Sequence, residues 1–186
     1  MYRIVPAVIS LEQHLETVSH KPYVYRPSRC PHCGLANRLW GHGRYERKAV
    51  RPGHIDEADE AANVENPIPI FRFLCGGCRR TCSRLPAVIA PRRWYDWSTQ
   101  QRVLGLLLLG QSLRRASATA RLGRHTVRRW WRWLAGRSEL FGLFLKTRFS
   151  ELGRAVDWKS FWMVCFDRMP LRDCMALLDN DGVVVP

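Results

Sequence analysis

Apolar and polar positions change rhythm along the chain, and the changes divide it into four stretches. Residues 1–27 hold room for one short strand and one helix, and Pro22 and Pro27 break any regular element before the next stretch begins. Over 28–90 the pattern becomes one of short β-type runs, Leu35–Trp40, Arg44–Val50 and Ile68–Leu74, punctuated by Gly34, Gly41, Gly43, Gly76 and Gly77. Inside that module, 51–66 gathers Asp56, Glu57, Asp59, Glu60 and Glu65 among Ala and Asn with no apolar period, which predicts a solvated insertion. From 91 to 136 the period is helical. Ser98 is a candidate N-cap before Thr99–Leu109, Gly110 ends that run, Ser112 caps a second run to about Leu122, and Gly123 precedes a third to about Leu134. In 137–186, Leu140, Leu143, Phe144, Phe161, Trp162, Leu171 and Leu178 recur at helical spacing and predict two or three further helices.

Candidate chemistry sharpens the β module. Cys30-Pro-His-Cys33 and Cys75-Gly-Gly-Cys78 are two Cys-x-x-Cys turns, each able to present two thiolates to one ion, and a tetrahedral zinc site needs four. The 41 residues between the turns exceed the usual ribbon spacing, and the acidic insertion accounts for the excess, because loop closure grows only slowly with length. Seven cysteines are an odd number for full disulfide pairing, so metal binding is the better account of Cys30, Cys33, Cys75 and Cys78, with free or redox-active thiols the alternative. Cys82 is either a competing ligand or a small buried apolar residue, and Cys165 and Cys174 belong to the core. His32 is expected to face solvent and His42 to sit in a turn. The predicted fold class is α+β: a small N-terminal β zinc ribbon, then an all-α helix-turn-helix and C-terminal helices.

Charge sharpens the helical part. The chain carries 30 Lys and Arg against 16 Asp and Glu, a formal charge of +14, and a field of that sign attracts polyanions. From Arg92 to Arg137 there are eleven arginines and one acid, Asp96. Ala116 and Ala120 allow close helix approach, Leu122-Gly123 make a turn, and Val127, Trp130 and Leu134 return at core spacing, which are the parts of a helix-turn-helix. In that geometry the second helix offers Arg124, His125, Thr126, Arg128, Arg129 and Arg132 to the major groove, with Arg114 on the preceding helix. Trp130, Trp131 and Trp133 cannot all point inward, so Trp130 is assigned to the core and one of the others to an interface.

The runs Cys30-Pro-His-Cys33-Gly, Arg38-Leu-Trp-Gly-His-Gly-Arg-Tyr-Glu-Arg47 and Ile70-Phe-Arg-Phe-Leu-Cys75-Gly-Gly-Cys78, followed by a helix-turn-helix, resemble the N-terminal region of bacterial insertion-sequence transposases and of related cysteine-rich proteins. The resemblance spans roughly 28–136. It implies zinc on Cys30, Cys33, Cys75 and Cys78, and recognition of transposon-end or related DNA by the helices after Ser112. Cys82 stands where that family often has an aromatic residue. The RNase H-like catalytic domain of such enzymes needs well over a hundred further residues, on the order of twice the length of chain beyond Gly136. Asp157, Asp167, Asp173 and Asp179 are expected to be helix caps and surface charges, so no enzymatic activity is expected.

The function expected is that of a zinc-stabilised DNA-binding protein of mobile-element origin, a recognition head or an accessory protein. A transcriptional regulator, or an adaptor that binds another protein through ribbon and tail, are the alternatives. Double-stranded DNA is the expected partner, alongside a second copy or another transposition protein. The longest apolar run, Val103–Leu109, is too short to span a bilayer and contains Gly105, so no membrane partner is expected. Met1–Ser10 lacks the apolar stretch of a secretory signal, so the expected location is cytoplasmic.

Overall fold

The computed structural model describes residues 3–49, 67–91 and 95–185; the acidic insertion 51–66, with Arg92 and Arg93, lies outside the described residues. The fold is mixed α+β, with small sheets in the N-terminal part and helices after them. Contacts divide the chain into two compact units, one running to Asp96 and taking in Val184 and Val185, the other Trp97–Val183.

The first unit is built on an antiparallel hairpin of β2 (Leu39–Arg47) and β3 (Ile68–Cys75), with the two-residue β4 (Thr81–Cys82) on the far side of β3. The sequence predicts two strands where β2 is one, because Gly41-His42-Gly43 looks like a break. It is a bulge: the pairing jumps from Gly41↔Phe73 to Arg44↔Phe71, two residues opposing one. The bulge also reverses which β3 side chains face inward. Ile68 and Ile70 are buried on one side of it, Phe73 and Cys75 on the other. The hairpin therefore feeds two apolar clusters, Leu39, Phe73 and Cys75 with Val5, Val8, Val18 and Tyr25, and Ile68 and Ile70 with Leu85 and Ile89.

The first 27 residues belong to this core. β1 (Ile4–Val5) pairs parallel with β5 (Leu85–Pro86), and the Arg84 guanidinium donates to the Ile4 carbonyl oxygen at 2.7 Å. In α1 (Leu11–His20) the Ser10 hydroxyl accepts from the Gln13 N–H, a normal N-cap. α1 turns His14 inward, 1 % exposed, between the Tyr25 hydroxyl at 2.6 Å and the Pro69 carbonyl oxygen at 2.9 Å. With Nε2–H donating to Pro69, Nδ1 accepts from the Tyr25 hydroxyl.

Burial pulls the His14 pKa below its ordinary 6.5, against a smaller upward pull from the Pro69 bond. The native state keeps this imidazole neutral, so an unfolded chain takes up a proton near pH 6.5 that the folded one refuses. The stabilisation is complete above that pH and is lost as pH falls toward the lowered native value. We expect the urea midpoint of the first unit to fall from pH 8 to pH 6, and His14→Gln to flatten that dependence; a slope of the same size in the variant would assign it to another group.

The second unit holds five of the six α-helices among the described residues: α2 (Trp97–Leu108), α3 (Leu113–Thr119), α4 (Arg124–Arg148), α5 (Trp158–Arg168) and α6 (Leu171–Asn180). α2 ends at Gly110 as expected, with φ 86° and N–H groups of Gly110 and Gln111 returning to Leu107 and Leu106, a Schellman cap. Ser112 caps α3, its hydroxyl accepting from the Arg115 N–H at 3.2 Å. α4 corrects the sequence expectation. It does not stop near Leu134 but runs 25 residues to Arg148, because the buried stripe Val127, Trp130, Leu134 continues through Ser138, Phe141 and Leu145. Helices α5 and α6 pack on α2 and on α4, so the 137–186 stretch shares one core with the helix-turn-helix. Asp157 caps α5 in a reciprocal pairing with Ser160, its carboxylate accepting from the Ser160 N–H at 2.7 Å.

Candidate metal centre and arginine-bearing helix

Both cysteine turns have the same construction. In the first, the Gly34 N–H returns to the Cys30 carbonyl oxygen at 2.9 Å, and in the second the Arg79 N–H returns to that of Cys75 at 3.0 Å. The donating residue is left-handed in each, Gly34 at φ 75° and Arg79 at φ 58°. Glycine adopts that backbone freely, whereas for arginine it costs about 1–2 kcal/mol. The Gly76 N–H donates to the Arg38 carbonyl oxygen at 2.7 Å, locking the second turn to the start of β2. Leu35, predicted only as a strand residue, covers that turn: a Cβ on Gly77 would collide with Leu35 Cδ1. The missing side chain at Gly77 is what leaves room for Leu35.

The turns bring four sulfurs together. Cys30 and Cys78 Sγ are 3.6 Å apart, Cys33 and Cys75 Sγ 3.7 Å, and all four lie within 4.8 Å of one another. A tetrahedron with metal–sulfur bonds of about 2.3 Å has edges of about 3.8 Å, so the set fits one tetrahedral ion. Disulfides are absent among the described residues; all seven cysteines are free thiols. Cys30 and Cys75 are buried while Cys33 is exposed, which leaves the centre open to solvent on one side. Cys82 is not in the group. It is buried in the neighbouring apolar cluster, where desolvation, with the Cys30 and Cys75 sulfurs, pushes its thiol up to about 11.

Protons are shared unevenly among the four. The Cys78 and Gly77 N–H groups, helped by the Cys30 and Cys33 thiols, outweigh desolvation and bring Cys75 down to about 6. At Cys33 the Leu35 N–H pulls the same way, but desolvation and the other three sulfurs prevail and the thiol stands at about 11. Four thiolates this close repel one another, and a divalent cation is what lets all four ionise, so binding it releases protons. The His32 N–H lies 3.4 Å from Cys30 Sγ; its side chain is exposed, and His42 is exposed in the β2 bulge.

In the second unit, α3 and α4 are joined by a turn whose left-handed residue is Arg121, φ 50°, and not Gly123. The N–H groups of Arg121 and Leu122 return to Ala118 and Ser117, closing a Schellman cap with arginine at the glycine position. Gly123 is the extended N-cap of α4. Ala116, Ala120 and Leu122 are buried where the helices meet, with Val127 and Trp130 beneath them. On the outside, Arg124, His125, Arg128, Arg129 and Arg132 are exposed along the first turns of α4, Thr126 is half-buried, and Arg114 is exposed on α3. Arg115 and Arg121 are exposed as well and were missing from the expected set; their signal was adjacency to Arg114 and to the turn. From Trp97 to Ser138 there are nine arginines and no acid. Among the described residues, the ion pairs Arg148–Asp181, Arg168–Glu151 and Arg172–Asp173 involve later residues. Trp130 is fully buried; Trp131 and Trp133 are half-buried, against Trp158 and Phe141 at 4.9 and 5.8 Å between ring centroids.

A metal-competent cysteine cluster on a β hairpin, joined in one chain to a helix–turn–helix with an arginine-lined second helix, defines the architectural class. The family model described as Domain of unknown function (DUF6431) matches residues 30–130, from Cys30 into α4. That span exceeds half of the chain, and the chain belongs to this family. No curated protein and no solved structure matches it. Among the described residues no helix is long and apolar enough to cross a membrane.

Proposed function

We propose that the chain is a zinc-stabilised protein that binds double-stranded DNA, with the DNA-recognition role that a transposase assigns to its helix-turn-helix. The observation that carries this reading is the exposed face of Arg124, Arg128, Arg129 and Arg132 on the N-terminal turns of α4, with no acidic residue from Trp97 to Ser138. An exposed row of guanidinium groups with no local counter-charge is an electrostatic footprint for phosphate, and arginine also pairs with guanine edges in the major groove. Zinc is the ion assigned to Cys30, Cys33, Cys75 and Cys78, since a compact set of four thiolates suits it, with iron the other candidate for the same geometry. The ion's chemistry here is structural: four protein ligands leave no open position.

The test is fluorescence anisotropy with a labelled duplex over a salt series, alongside metal analysis. One zinc per chain is expected. Arg128→Ala with Arg129→Ala should weaken binding by roughly tenfold to a hundredfold at low salt and reduce the slope of log affinity against log salt by just under about two, the share of two phosphate contacts. Duplex binding that ignores both substitutions, or that does not depend on salt, removes the proposal and favours a protein-binding adaptor.

A further inference from the structure

The first unit presents an aromatic that its core does not use. Trp40, on β2, is 59 % exposed, although tryptophan is among the side chains with most to gain from burial. It is nevertheless held in place. A Cβ on Gly76 would lie 3.3 Å from its Nε1 and 3.8 Å from its Cδ1, so the pyrrole edge of the indole is seated on the second cysteine turn. More than half of the side chain remains accessible to solvent, with the Arg26 guanidinium over the ring. The Arg26 guanidinium carbon stands 5.7 Å from the ring centroid. Arg38, two residues before Trp40, is exposed, as are Arg79 and Arg80 on the turn that seats the ring. Among the described residues none of these four arginines has an acidic partner. Between Lys21 and Pro91 the chain carries twelve Lys and Arg against six acids, five of them in the insertion 51–66.

We propose that this face is a second nucleic-acid site, separate from α4, at which an unpaired base stacks on Trp40 while Arg26 and Arg38 hold the adjoining phosphates. A flat aromatic surface flanked by guanidinium groups is the arrangement that binds single strands with little sequence preference, because every base has a π-face. Within a duplex those faces are covered by neighbouring bases. A ring anchored along one edge on the backbone also does not project as a wedge able to open a base step. The occupant is therefore a single strand, and the site does not depend on whether α4 reads duplex DNA.

The experiment uses the full-length, metal-loaded protein with a labelled oligo(dT) of about 15 nucleotides and, in parallel, a labelled blunt duplex. Trp40→Ala should weaken oligo(dT) binding by about tenfold or more and leave duplex binding unchanged, while Trp40→Phe, which keeps a stacking ring, should stay within about threefold of the parent. The Arg128→Ala, Arg129→Ala pair should show the opposite selectivity, so failure of the duplex reading leaves the oligo(dT) result standing. If Trp40→Ala disturbs the metal content, Arg38→Gln decides instead: a weaker oligo(dT) complex with the salt slope reduced by about 0.7 supports the site. Oligo(dT) affinity unmoved by Trp40→Ala and Arg38→Gln, as for a face that docks a protein or a second copy, overturns it.

Discussion

Stripping the metal from the full-length protein with a strong chelator will unfold the β module of the first unit. Two apolar clusters divided by a bulge give this unit little continuous core, and small modules of that kind depend on a staple. A four-thiolate zinc site contributes apparent folding free energy on the order of 10 kcal/mol near neutral pH, comparable to the whole stability of a typical domain. Loss of near-UV circular dichroism on chelation, restored by one equivalent of zinc, is the expected result, and cobalt in place of zinc should give the visible absorption of tetrahedral thiolate coordination. Cys33→Ser should reproduce the loss, whereas Cys82→Ser should keep its metal. A chelated protein with an unchanged urea midpoint would mean that the four sulfurs are not a structural centre.

Replacing Trp162 by alanine will lower the melting temperature of the second unit by more than about 12 °C. Removing a fully buried large aromatic costs about 3–5 kcal/mol, and each kcal/mol shifts a domain of this size by several degrees. Trp162 packs edge-on against Phe141 and Phe161, with ring centroids 6.1 and 5.3 Å away. Its indole N–H donates to the Ser138 hydroxyl at 2.9 Å, which in turn donates to the Leu134 carbonyl oxygen at 2.6 Å. Trp162→Phe, which keeps a ring but removes that donor, should cost less. The large loss from a residue in the C-terminal stretch would demonstrate that the stretch holds α4 in place; a melting temperature within two or three degrees of the parent would show that α5 is dispensable.

Features whose cause is local were legible in the sequence. Two Cys-x-x-Cys turns declare themselves because the chemistry lies within four residues. Gly110 and Ser112 likewise mark their helix end and cap from side-chain type alone, as the φ of 86° and the Ser112–Arg115 bond show. Features decided at a distance were not legible. β1 is two residues long and exists through a partner some eighty positions away. The Gly-His-Gly bulge looks like a strand break until the opposite strand is known. The true length of α4 was hidden by Gly136 and by Ser138, a polar residue at a core position whose hydroxyl is satisfied inside the helix and by Trp162. Arg79 and Arg121 carry left-handed backbones that sequence patterns assign to glycine, so pattern alone puts the helix-turn-helix turn at Leu122-Gly123.

The parallel pairing of β1 with β5 bears on how the chain acquires its structure. Ile4 lies opposite Leu85, and the four clustered cysteines span Cys30 to Cys78, so the contacts that close the first unit join segments distant in sequence. On the ribosome, such a module has nothing to close against until nearly its whole length has emerged, several seconds at about 5–20 residues per second. Its high contact order then favours slow, concerted folding over stepwise growth. During that interval the thiols of the first turn stand exposed without their partners, and an ion bound by the four cysteines would be captured only once Cys78 has appeared.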